Sequence, residues 1–256
     1  MVLLRKIKAI IRKLRNKLPN ELYEPSPEWK RLQDYLQKSQ RIIDLGCGAN
    51  PHPRAIVGVD AFLAPVQRSL GYGQWIDIKN FKKRRIEFIL ANLTNLPFRD
   101  KSFDFAYAHH VFEHLDDPVG ACKEMCRIAR AGVIITPSIF AELAFGRPYH
   151  RWMVAARGQT IIFIEKTKAE DRPFGEHPIP KPGGGYRVTH ETNPFDILLN
   201  EGNWYHGREK MPRLSRLLRR YWYSHSPVME VIFLWENDFN CVVVHRDGRI
   251  NYERIQ

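Results

Sequence analysis

The sequence predicts an α/β fold: a mostly parallel sheet with an antiparallel edge strand, a shortened first helix and a long insertion after the fifth strand. Three observations predict it. Short apolar runs alternate with helical or loop segments from residue 41 to residue 138, the pattern of parallel strands joined by crossovers. Residues suited to ligands follow those runs directly, where open parallel sheets bind them. Near the other end, "MEVIFLWE" and "FNCVVVHR" are separated only by the turn "NDF" and read as an antiparallel pair at the sheet edge.

Each element has its own signal. In residues 1–18, "MVLLRKIKAIIRKLRNKL", Leu4, Ile7, Ile11, Leu14 and Leu18 recur at helical spacing among seven Lys or Arg and no acid. This predicts a basic amphipathic helix, ended by Pro19. Residues 19–40 supply a linker, "PNELYEPSP", and a leading helix to about Lys38, with Ser26 as N-cap and Pro27 at its first position. Residues 41–256 then form the main domain. Its strands are expected at about 41–45, 56–60, 86–91 and 103–108 and in "AGVIITPS", with a helix opening at Asp117-Pro118. The dozen residues after Asp44 include Pro51 and Pro53, too short and too broken a stretch for a full helix. The insertion, 139–230, holds five of the ten histidines, a strand "TIIFIEK" and the glycine-rich loop "KPGGGYR", and is expected to cover the acceptor pocket.

Composition narrows the class. The net charge of +12 is uneven, and more than half of the excess lies in residues 1–18. That segment is too interrupted by charge to span a bilayer and lacks the apolar core and cleavage site of a secretory signal. A basic amphipathic helix suits an anionic membrane surface, a partner, or its own domain. The four cysteines make no CxxC pair and no zinc-ligand pattern, so no metal is expected and a reducing, cytoplasmic setting is.

The chemistry gathers at strand ends. In "IIDLGCGANPHPRAIVGVD", Gly46 and Gly48 make a sharp turn and admit a ligand close to the backbone. Asp60, sixteen residues after Asp44, stands where an acid accepts both hydroxyls of a ribose. A dinucleotide reading wants a third glycine, but position 51 is Pro51, and Asp44 would repel a pyrophosphate. S-adenosylmethionine has no phosphate, and Asp44 suits its ammonium. Asn92 offers an amide to an adenine edge, with Leu93 and Leu96 against the ring.

"IIDLGCGANP", "GVD" and "LPFRDKSFDFAYAHHVFEHLDDP" resemble the class I S-adenosylmethionine-dependent methyltransferases of the methyltransferase type 11 branch, with their Rossmann-like sheet. The resemblance covers residues 41–138. It implies that Asp44, Gly46 and Gly48 hold the methionine end of the cofactor, Asp60 the ribose, Asn92 and Leu93 the adenine, and that His110 lies beside the methyl-donor region. The first helix is nearly missing here, and Asn92 stands where the branch usually has Asp.

Methyl transfer to a hydroxyl needs alignment and removal of a proton, and histidine is the usual base near neutral pH. His110, oriented by Glu113, is the first candidate and His150 the second; His109 reads as a core or surface histidine, and Glu142 as a substrate contact or a solvated residue. The leading expectation is methylation, favouring oxygen, of a small-molecule, lipid or glycan acceptor. An RNA methyltransferase, drawing on "REKMPRLSRLLRRYWY" for phosphate contacts, and a catalytically silent interaction module are the alternatives. The sequence predicts no oligomeric state.

Overall fold

The computed structural model describes residues 26–63, 75–145, 150–166, 177–180, 186–189 and 228–256. The expected basic helix at 1–18, the linker after it, the triple-glycine loop and the basic stretch near 208–220 lie outside the described residues.

Helix α1 (Pro27–Lys38) begins as its sequence predicts, with the Ser26 hydroxyl accepting from the Trp29 amide. The chain continues through β1 (Ile42–Leu45), β2 (Ala55–Asp60), α2 (Ile78–Lys83), β3 (Glu87–Leu90), β4 (Phe103–His109), a 3-10 turn (Phe112–His114), α3 (Pro118–Ile128), β5 (Ala129–Pro137) and α4 (Ile139–Phe145). It then forms β6 (Trp152–Arg157), β7 (Thr160–Glu165), β8 (His177–Pro180), β9 (Tyr186–Thr189), β10 (Glu230–Glu236), β11 (Phe239–Val244) and β12 (Ile250–Ile255).

Six strands make the main sheet in the order β10-β5-β4-β1-β2-β3. All its pairs are parallel except β10 on β5. As expected, no helix joins β1 to β2. Each face of this sheet is covered. On one, Leu32 and Leu36 of α1 pack on Ile42, Phe105, Val133 and Ile135. On the other, Ala121, Cys122, Met125 and Cys126 of α3 share a core with Ile43, Leu45 and Ala106. All four cysteines are buried, and none is in a disulfide.

That second core extends into a feature the sequence reading lacked: a four-stranded sheet in the order β12-β11-β7-β6. Its Trp152, Phe163, Phe239 and Cys241 join the α3 core. The expected pairing of "MEVIFLWE" with "FNCVVVHR" is therefore not formed. β10 binds β5, but β11 lies between β7 and β12 in the other sheet. The cause is the turn. Asn237 takes a left-handed φ of 63°, its amide donates to the Arg130 carbonyl, and its own carbonyl accepts from the Cys126 thiol. These bonds hold the turn against the start of β5 and send β11 away from β10. Among the described residues, strands β8 and β9 pair with each other in a two-stranded sheet.

Candidate active site

The glycine turn after β1 is held by its own backbone. The Gly46 and Cys47 amides both donate to the Val59 carbonyl, at 2.7 and 3.0 Å. Gly46 and Gly48 take φ of 73° and 54°, which favour glycine. A Cβ on Gly46 would also stand 2.3 Å from Val111, so this turn and the segment after β4 touch.

Two carboxyl groups flank the turn. Asp60 is buried at the end of β2; its Oδ2 accepts from the Gly48 amide and its Oδ1 from the Phe62 amide, both at 3.0 Å. It thus braces the loop that the sequence assigned to the cofactor. Asp44 is buried in β1, and its Oδ2 accepts from the His52 amide at 2.6 Å. The missing helix makes this bond possible, because the loop folds back over the strand end. Burial pushes the Asp44 carboxyl up to about 7; the His52 bond opposes that rise, nearby Asp60 adds to it, and Arg84 opposes it.

Asn92 and Leu93, expected at the adenine, also have partners within the protein. The Asn92 side-chain Oδ1 accepts from both the amide and the hydroxyl of Thr94, at 3.1 Å each. This is a turn-forming asparagine, and only its amide nitrogen lies outside that turn. Leu93 and Leu96 are buried in the core, so their side chains pack on the protein.

At the end of β4 a chain of polar side chains begins. His52 lies against Tyr107, with ring centres 4.7 Å apart. The Tyr107 hydroxyl meets His109 Nδ1 at 3.3 Å, and His109 Nε2 lies 3.5 Å from Glu230. Burial lowers the His109 pKa, with Glu230 acting against that, so this ring is neutral at pH 7. His110, in the left-handed region at φ 56°, contacts Glu113 through Nδ1 and Glu230 through Nε2, both at 3.2 Å. Burial works against its charge, but the two carboxylates raise His110 to about 10. Glu113 is buried, which favours its neutral form; its bond to His110 and the neighbouring histidines outweigh this and hold it near 2.

His114 lies 3.8 Å from Glu113, and its ring centre is 4.7 Å from that of His150. His150 is buried, and its Nδ1 meets Glu142 at 2.6 Å. Glu142, expected as a substrate contact or a solvated residue, is instead buried between His150 and the fully buried Lys166, whose Nζ donates to it at 2.9 Å. Burial opposes the charge of Glu142, but His150 and Lys166 hold it near 2.

The structure thus brings Asp44, Gly46, Gly48 and Asp60 together, and separately His110, Glu113 and His150. Sequence reasoning missed Glu230, Lys166 and the role of Tyr107. Glu230 opens a strand 120 residues after His110, and no local pattern marks it. A cavity of about 400 Å³ between α1, the turn after β6 and β10 is lined in part by Glu230, but by none of the residues of the glycine turn.

Residues 43–136 match the family model described as "Methyltransferase domain". An O-methyltransferase of Aspergillus nomiae is 35% identical over 103 residues, covering 37% of this chain and 44% of that protein. An O-methyltransferase of Aspergillus sclerotiorum is 31% identical, covering 36% and 37%. A demethylmenaquinone methyltransferase of Renibacterium salmoninarum is 32% identical, covering 42% and 44%. The chain spans less than half the length of each of these relatives. The matched segment carries the glycine turn, both aspartates and the His110–Glu113 contact, and over residues 43–136 the chain is similar to the methyltransferase domain of that family.

Proposed function

We propose that the chain transfers a methyl group from S-adenosylmethionine to a small-molecule, lipid or glycan acceptor, with an oxygen as the favoured target. The observation that carries this is the juxtaposition of Asp44, the glycine turn and Asp60 at the ends of neighbouring strands, β1 and β2. Asp44 supports the fit to this cofactor: a buried carboxyl held near 7 gains most from a cation, and the ligand carries an ammonium. Two of the similar proteins are named as O-methyltransferases.

The bound cofactor supplies an electrophilic methyl group on a sulfonium. The protein then has to align the acceptor and remove its proton. His109 suits the second task. Burial disfavours its charged form, and with Nε2 toward Glu230 its basic nitrogen is Nδ1, where an acceptor hydroxyl would have to replace that of Tyr107.

Calorimetry with S-adenosylmethionine tests the reading. The Asp60→Ala variant should lose about 3 kcal/mol of ligand hydrogen bonding, roughly a hundredfold in affinity. Circular dichroism establishes that the variant is folded. Equal affinity in a folded Asp60→Ala protein overturns the assignment.

A further inference from the structure

We propose that Glu113, His114 and His150 form a binding site for one divalent transition-metal ion. One donor atom from each residue lies within 4.8 Å of the others. The donors come from two parts of the fold. Glu113 and His114 belong to the 3-10 turn after β4, and His150 precedes β6. The Arg151 amide, donating to the Glu113 carbonyl at 2.7 Å, holds these two segments together.

An independent observation points to a ligand. Glu113 is 1% exposed, and its Oε2 has no hydrogen-bond partner. Such an oxygen, buried on an ionised carboxylate, is costly unless something positive occupies it. Its other oxygen is already engaged by His110. A cation at Oε2 would relieve the one uncompensated atom of the cluster.

The surroundings are those of a metal ligand set. His150 Nδ1 is committed to Glu142, and Glu142 is fixed by Lys166. A carboxylate on one ring nitrogen sets the tautomer and turns the other nitrogen into the donor, the usual outer arrangement of ligating histidines. Two imidazoles and one carboxylate favour zinc, iron, cobalt or nickel over calcium or magnesium, which prefer oxygen donors. Three protein ligands leave a zinc ion a coordination position for water or for an oxygen of an acceptor. That position would lie near the glycine turn, because Val111, two residues before Glu113, packs on Gly46. The second histidine cluster, His109, His110 and Glu230, is the weaker candidate. Both nitrogens of His110 are already paired with carboxylates there.

The full chain, stripped with a chelator and dialysed, is titrated with Co²⁺ while visible absorption is followed. One equivalent should bind with the spectrum of a four- or five-coordinate ion, and one equivalent of Zn²⁺ should displace it. His114→Asn changes the most exposed of the three ligands and should weaken binding at least tenfold. Glu142→Gln, which touches no metal, should weaken it 10- to 100-fold, within the range of about 10–100 for lost outer partners. Thermal unfolding should show Zn²⁺ stabilising the parent chain and not the His114→Asn chain. A parent chain without a saturable cobalt spectrum overturns the site, as does equal binding by the parent and His114→Asn chains. Neither titration contains S-adenosylmethionine, so the result is independent of the methyl-transfer reading.

Discussion

At pH 6 most Asp44 side chains hold a proton, because burial places their pKa near 7 instead of the ordinary 3.8. A cationic ligand needs the ionised form. Binding of S-adenosylmethionine should therefore release a proton, and affinity should fall by up to tenfold for each pH unit below about 7. Calorimetry in buffers of different ionisation enthalpy measures that proton directly. The same residue acts on stability with the opposite sign from a paired carboxylate. Between about 4 and 7 the folded chain keeps a proton that the unfolded chain has shed, so the Asp44 contribution to stability declines as pH rises. Asp44→Asn should flatten both dependences; an unchanged affinity profile in that variant assigns the proton elsewhere. Asp44, Gly46, Gly48 and Asp60 were legible in the sequence because their geometry is local: one turn and two adjacent strand ends. Asn92 was legible only as a polar residue after a strand. Whether it serves a ligand or its own turn depends on Thr94, two residues away, and both uses fit the same letters.

Element boundaries in the main sheet follow from the sequence because each strand is a short apolar run with a breaker at its end. Asp117 caps α3 through the Gly120 amide, as Asp117-Pro118 predicts. The partner of a strand is harder to read. The alternation in "FNCVVVHR" fits any half-buried edge, and a left-handed Asn237 decides which edge it meets. Residues that close a site across elements are hidden for the same reason. Lys166 follows β7 with a side chain that composition would place in water, yet it is fully buried on Glu142. That pairing makes an energetic prediction. Glu142→Ala leaves Lys166 buried without its carboxylate and should destabilise the chain by about 3–5 kcal/mol in urea unfolding. The double variant Glu142→Leu, Lys166→Met removes both charges and should recover most of the loss. A loss below 1 kcal/mol in the single variant would show that water reaches Lys166.

For the molecule as a whole, the net charge of +12 is the property that stands out in the sequence. Seven cations sit in residues 1–18 beside a periodic apolar stripe. Among the described residues, no helix is long and apolar enough to cross a membrane. We propose that this segment binds an anionic membrane surface, where each cation near the lipid contributes about 1 kcal/mol before screening. The full chain should co-sediment with vesicles containing phosphatidylserine, and a chain beginning at residue 19 should not. Binding should weaken at high salt. Equal sedimentation of the two chains removes residues 1–18 as the anchor.

The bonds from the Arg151 amide to the Glu113 carbonyl and from Trp152 Nε1 to the Leu115 carbonyl fix β6 against the turn after β4. Sliding β6 by one residue would carry His150 about 3.3 Å along the strand and turn it to the opposite face. The cluster at His114 and His150 would then come apart, and Trp152 and Val154 would leave the core. Insertions and deletions should therefore be distributed unevenly through the descent of this chain. The turns at Gly158 and Gly248, with nothing within 4 Å of an added Cβ, are places where length can change freely. The few residues from His150 to Trp152 are a fixed gauge, and a lineage that altered their length would lose the alignment of its histidines.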